Sequence, residues 1–123
     1  HRGSLSDFIL VKDNHLGGMS IADAVRRARL QWPLRTVEVE CDRLDQVHEA
    51  VDVGADIIML DNMTPTMVTE AVKVIAGACP VEVSGGVTLD TAAAYAAAGA
   101  NFISVGALTH SAPILDIAFD LET

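Results

Sequence analysis

Two rhythms of apolar residues alternate along this chain. Runs rich in β-branched and aliphatic residues at 8–13, 36–40, 56–61, 80–84 and 102–106 read as short strands. Between them, apolar residues recur at helical spacing, with start and stop signals at the expected places. Ser20 offers an N-cap with Asp23 three residues on, followed by Ile21, Val25 and Ala28, and then by Arg26, Arg27 and Arg29 toward the helix end. Asp42 is the expected cap of a second helix that buries Leu44, Val47 and Val51 and stops at Gly54 in a left-handed turn. Thr64-Pro65 opens a third helix with Val68, Val72 and Ile75 inward. Thr88 opens a fourth, running through Ala98 and closed by Gly99.

The predicted strand ends, Asp13, Glu40, Asp61, Ser84 and Gly106, lie 21 to 27 residues apart, which is room for one helix and two turns. Gly54-Ala55-Asp56-Ile57-Ile58 and Gly99-Ala100-Asn101-Phe102-Ile103 repeat the same helix-stop-then-strand pattern. Strict alternation of strand and helix implies parallel strands joined by crossovers, either a barrel segment or an open doubly wound sheet. A full parallel β/α barrel takes ~250 residues, so 123 residues with about five strand–helix units are expected to be roughly half of one.

Alternation within the strands points to chemistry. Val37 and Val39 are expected to face the helices, and Glu38 and Glu40 the other way; Val81 and Val83 are set against Glu82 and Ser84 in the same manner. Phe8, Leu10 and Lys12 share one face. Carboxylates and a lysine would thus point into an interior that normally holds aliphatics, and burying an unpaired charge is costly. A buried ion-pair network is the preferred reading for Glu38 and Glu82, which lie deeper in their strands. Glu40 and Asp61 end theirs, at the rim where barrel enzymes build their sites, and are read as functional.

Ser84-Gly85-Gly86 joins a strand to a helix, and Val105-Gly106-Ala107 occupies the equivalent turn of the next unit. Glycine lets backbone amides approach an anion, and a following helix start adds partial positive charge. The two turns are expected side by side around one phosphate. His1, Arg2 and Lys12 are candidates for holding an anionic substrate. His15, Asn14 and Asn62 are read as loop-bracing residues and His48 as a solvated one, while His110 either binds or packs.

Composition narrows the classes. Half the residues are hydrophobic and 20% are charged, which is globular rather than disordered. No apolar run reaches the ~18 residues of a membrane span, and no signal peptide is visible. The opening His1-Arg2-Gly3, without Met, suggests a piece of a longer protein. Cys41 and Cys79 are expected to be buried thiols in a cytoplasmic protein, not a disulfide or zinc site. A net charge of −9 argues against nucleic acid or an anionic membrane surface as partner. A hard ion such as Mg²⁺, held with a diphosphate, is compatible with Glu40 and Asp61.

Taken in order, His1-Arg2, LSDFILVKDNH (Leu5 to His15), VEVE (Val37 to Glu40), GADIIMLDN (Gly54 to Asn62), VEVSGGVTL (Val81 to Leu89) and ISVGALTHSAPILDIAFDL (Ile103 to Leu121) resemble the quinolinate phosphoribosyltransferases over nearly the whole chain. The resemblance implies an N-terminal α/β domain followed by an incomplete β/α barrel, with residues 1–123 the C-terminal part of that barrel and the N-terminal domain and first barrel strands lying outside it. It implies joining of quinolinate to phosphoribosyl pyrophosphate with Mg²⁺, releasing pyrophosphate and carbon dioxide, in NAD biosynthesis. On this resemblance Arg2 and Lys12, with His1, hold the quinolinate carboxylates. Glu40 and Asp61 face the ribose and the Mg-pyrophosphate, with Lys12 also counted among the catalytic groups. Ser84, Gly85, Gly86 and Gly106 line the sugar-phosphate site. It further implies a homo-oligomer with a shared active site and an isolated segment without activity. The alternatives are a paralogue of the molybdenum-transport-associated type with another acceptor, and a non-catalytic phosphate-binding or oligomerisation module.

Overall fold

The computed structural model describes residues 8–12 and 19–104, together with the backbone of 115–116. Its elements alternate: β1 (Phe8–Lys12), α1 (Ile21–Gln31), β2 (Thr36–Cys41), α2 (Leu44–Asp52), β3 (Ile57–Asp61), α3 (Pro65–Ile75), β4 (Val81–Ser84), α4 (Leu89–Ala98), β5 (Phe102–Ile103) and β6 (Leu115–Asp116). The strands form one sheet in the order β5-β4-β3-β2-β1-β6, and every pair is parallel. From β1 to β5 each strand lies beside its predecessor, and one layer of helices covers one face. That is the winding of a β/α barrel segment; a doubly wound sheet would reverse its order and carry helices on both faces. Strand β6, beside β1, was not expected from the sequence.

The core lies between sheet and helices. Ile9, Val11, Val37, Val39, Ile58, Leu60, Val81 and Val83 form the sheet side. Ile21, Ala24, Val25 and Ala28 of α1, Val47 and Ala50 of α2, and Val68, Ala71 and Ile75 of α3 form the other. These strand residues are alternate positions, so the helix-facing set is the one the sequence pattern predicts. In α2 and α3 Val47, Ala50, Val68 and Ala71 are all fully buried, whereas Leu44, Val51 and Val72, expected inward, are only half-buried.

Local signals account for most boundaries. The Ser20 hydroxyl accepts from the Asp23 amide at 3.0 Å, and Thr64 from Met67 at 3.2 Å with Pro65 at the first helical position. Thr88 accepts from Thr91 at 3.2 Å, and Gly99 closes α4 at φ 117. Gly54 (φ 77) follows α2 in a left-handed turn. Asp42 does not cap α2. Arg43 occupies the N-cap, and the Gln46 carboxamide reaches back to accept from the amides of Asp42 (2.7 Å) and Arg43 (3.2 Å). Strand β2 also runs one residue further than expected, to Cys41, whose side chain joins the helix-side core. Of the two thiols, Cys41 is buried as expected, whereas Cys79 is only half-buried, and burial pushes its pKa up. The fifth strand covers Phe102–Ile103, and the turn expected at Gly106 lies outside the described residues.

Candidate active site

The sheet face away from the helices carries the polar residues. Strand register puts Lys12 beside Glu40, Glu40 beside Met59, Met59 beside Glu82, and Glu82 beside Phe102. One step toward the C-terminal ends, Asp61 lies beside Ser84. Lys12, Glu40, Asp61, Ser84, Gly85 and Gly86 are therefore brought to one rim of four neighbouring strands. Lys12, Glu40 and Asp61 are half-buried. Glu38 lies two residues deeper, 2% exposed, so a carboxylate is enclosed on this face even below the rim. Glu82 is half-buried and accepts a hydrogen bond from the Ser104 hydroxyl at 3.0 Å, a neutral partner where the sequence pattern led to the expectation of an ion pair.

Electrostatics tie Lys12 to Asp61. Burial pushes the Asp61 carboxyl above its ordinary value of 3.8, the Asp42 charge pushes the same way, and the Lys12 ammonium pulls it back. Loss of water around the carboxyl outweighs the cation, so the charged form is disfavoured at this position.

The turns after β3 and β4 interlock. Asn62 adopts φ 57, a left-handed conformation that asparagine tolerates better than most residues. Its amide donates to the Ser84 carbonyl at 3.1 Å, and its side chain reaches Asp61 Oδ2 at 3.5 Å. Gly85 has φ +87, and a Cβ there would lie 2.6 Å from Asn62 Oδ1 and 2.7 Å from Asp61 Oδ1. Glycine is thus required twice at this position, by backbone conformation and by close approach. Gly86 (φ +74) has nothing within 4 Å of its would-be Cβ, so its side faces open space. Helix α4 begins shortly after, directing its N-terminal amides to the same rim.

The oxygen donors suit a hard cation. Among the described residues no three His, Cys, Asp or Glu side chains gather as a closed metal site. Magnesium needs no such cage, since it commonly takes one or two carboxylates with substrate phosphates and waters. Burial first, and the Asp42 charge second, disfavour the ionised form of Asp61, and a cation bound beside it would favour that form.

The sequence missed two side chains near the rim. Ser104 pairs with Glu82, and the Tyr95 hydroxyl of α4 donates to the Met63 carbonyl, in the β3–α3 turn, at 2.8 Å. A lone tyrosine inside an alanine-rich helix was the available signal for the second. His1, Arg2 and Gly106, together with Asn14, His15 and His110, lie outside the described residues. The neighbouring, parallel β4 and β5 fulfil one condition for the paired phosphate turns, and the Ser104 amide donates to the Val83 carbonyl at 2.9 Å. His48 is exposed, as expected. Among the described residues no helix is long and apolar enough to cross a membrane.

Residues 1–120 match the family model described as quinolinate phosphoribosyl transferase, C-terminal domain. The chain belongs to this family. It is 41% identical over 123 residues to a probable nicotinate-nucleotide pyrophosphorylase [carboxylating] of Bacillus subtilis (strain 168), covering 98% of this chain and 43% of that protein. The nicotinate-nucleotide pyrophosphorylase [carboxylating] of Rattus norvegicus is 39% identical, with 98% of this chain and 42% of that one covered. The solved nicotinate-nucleotide pyrophosphorylase from Francisella tularensis superposes with a TM-score of 0.80 at 38% identity, over 94% of this chain and 42% of that chain. The chain thus spans less than half the length of these family members.

Proposed function

We propose that this chain forms part of an enzyme that transfers the phosphoribosyl group of phosphoribosyl pyrophosphate to quinolinate, with release of pyrophosphate and carbon dioxide, giving nicotinate mononucleotide for NAD biosynthesis. The observation that carries the reading is the single rim on which a lysine, two carboxylates and a Ser-Gly-Gly turn meet, within a chain of this family. Loss of pyrophosphate leaves positive character on the ribosyl carbon. Fixed carboxylates at Glu40 and Asp61 would stabilise it without reorganising. Lys12, with His1 and Arg2, would hold the dicarboxylate in line with that carbon and favour the negative charge left on the ring as carbon dioxide departs. The amides of Ser84, Gly85 and Gly86, with Gly106, would take the sugar phosphate.

Glu40 and Asp61 would also hold Mg²⁺ through the pyrophosphate, and the ion would neutralise charge on that leaving group. We further infer a cytoplasmic homo-oligomer whose sites are shared between subunits. Residues 1–123 correspond to the C-terminal part of the catalytic barrel, and the remaining site cations come from segments beyond it. On that reading the isolated segment does not turn over.

The test is conversion of quinolinate and phosphoribosyl pyrophosphate by the full-length protein with magnesium, followed as nicotinate mononucleotide. Nicotinate, one carboxylate short, should be a poor substitute, because a site built to bond a group rejects analogues lacking it. Equal use of both acceptors would count against the assignment and favour a paralogue. No turnover of either would return the rim to a binding or assembly role.

A further inference from the structure

We propose that Tyr95 is a positioning residue for Asp61, acting through the Met63 carbonyl, so that the turns after β3 and β4 are set as one unit. The inference rests on the function proposed above for its kinetic consequence and on the geometry alone for the interlock. Between Asp61 and Pro65 there are only three residues, so fixing Met63 fixes where the carboxylate-bearing strand end leaves the sheet. Met63 is 2% exposed, and its carbonyl accepts the Tyr95 hydroxyl in a buried bond spanning 32 residues of sequence.

Packing alone does not call for this hydroxyl. Tyr95 is the chain's one tyrosine and the buried residue of α4, whose neighbours are mostly alanines. A phenylalanine would fill the same space, whereas a buried hydroxyl is tolerated only when it is bonded. Its partner belongs to the preceding strand–helix unit, so the bond ties two units together. The other ties lie at the start of Tyr95's own unit. The Ser84 carbonyl accepts from the Asn62 amide at 3.1 Å, and Gly85 leaves the space that the Asp61 and Asn62 side chains occupy. The β3–α3 turn is thus fastened by α4 and by the glycine turn that opens α4. The Asp61 carboxylate and the anion-binding amides are consequently fixed relative to each other, which matters because the leaving pyrophosphate and the sugar phosphate belong to one substrate.

The test uses the full-length protein and Tyr95→Phe, which removes the hydroxyl and keeps the ring, with Gly85→Ala as a second variant. Tyr95→Phe is expected to lower kcat on the order of 10-fold, and Gly85→Ala on the order of 10²-fold, the scale for displacing a catalytic group by about 1 Å. KM for quinolinate should stay within about twofold in Tyr95→Phe, since its bond does not reach the acceptor side. In parallel, amide hydrogen exchange at Asn62 should quicken in Tyr95→Phe. A lower melting temperature with kcat and Asn62 exchange both unchanged would overturn the proposal. If the wild-type protein makes no nicotinate mononucleotide, the functional reading fails, and the exchange decides the interlock: faster exchange upholds it, unchanged exchange ends it.

Discussion

The two faces of this sheet are made by the same strands and follow opposite rules. Toward the helices stand Val37, Val39, Ile58, Leu60, Val81 and Val83, all but Val81 at 0% exposure. Away from them, one residue along each strand, stand Glu38, Glu40, Asp61, Glu82 and Ser84. The first face gains stability by removing apolar surface from water. The second works the other way at Asp61, where burial and, after it, the Asp42 charge disfavour the ionised carboxylate. A carboxyl whose charged form is disfavoured by burial is a common feature of functional sites.

Leu60 and Asp61 are consecutive, and substituting each separates the two faces most sharply. Asp61→Asn should reduce kcat on the order of 10²-fold or more, because the neutral amide cannot balance positive charge in the transition state. It should not destabilise the fold near neutral pH. A carboxyl whose folded pKa is raised favours folding in its protonated form; stability is fullest below the ordinary value of 3.8 and is lost as pH rises through the raised value. Removing the ion should therefore leave the variant as stable as the parent or more so near neutrality, with the difference gone in acid, as urea titrations would read. Leu60→Ala should behave inversely, losing ~2–5 kcal/mol of stability through the transfer and cavity terms while the folded fraction keeps its kcat within about threefold. A Leu60→Ala variant that lost kcat as severely as Asp61→Asn would erase the distinction.

Lys12→Ala tests whether the cationic side of the rim acts on substrate and on Asp61 together. Its KM for quinolinate should rise on the order of 10-fold, the loss of one charge-assisted contact. With the ammonium gone, the lowering influence on Asp61 is gone as well. The acid limb of the pH–rate profile should then move to higher pH, and an unmoved limb would separate the two roles.

What the sequence disclosed was local or periodic. The facing of Lys12, Glu40, Asp61 and Ser84 follows from alternation, and the caps at Ser20, Thr64 and Thr88 from side chains that bond three residues on. Asp42 misled because two capping geometries compete: Gln46 reaches backward to the same amides, and a sequence motif does not say which wins. Glu40 reads as a strand end in the sequence although Cys41 continues the ladder, since an apolar thiol before an acidic residue reads as a boundary from either side. Strand β6 pairs Leu115 and Asp116 with Ile9 and Leu10, and a two-residue partner so distant leaves no periodic trace. The Tyr95–Met63 bond was hidden for the same reason. Asn62 braces its loop as expected, through its amide to the Ser84 carbonyl and its side chain to Asp61, while its left-handed φ of 57 left no mark in the sequence pattern.

The smallest expected effect lies at the other end of the strands. Arg29 of α1 meets Asp56 Oδ2 at 2.9 Å and the Gly54 carbonyl at 2.6 Å, and Asp56 Oδ2 also accepts the Val37 amide at 2.8 Å. This cluster joins α1 to the turn before β3 and to the start of β2, at the rim where barrels keep stability rather than chemistry. Its side chains are 36% and 40% exposed, so screening by water limits what the ion pair contributes. The Val37 amide would keep Asp56 as acceptor after the arginine is removed, so no carboxylate is stranded. Arg29→Met, which retains much of the aliphatic stem, should therefore cost about 0.5–1 kcal/mol. That cost should shrink as salt is raised, and kcat should not change. Chemical denaturation at low and high salt, beside a single kinetic assay, reads all three outcomes. A kcat lowered alongside stability would mean that the stability end of the sheet communicates with the rim through the strands, and the division between the two ends would have to be given up.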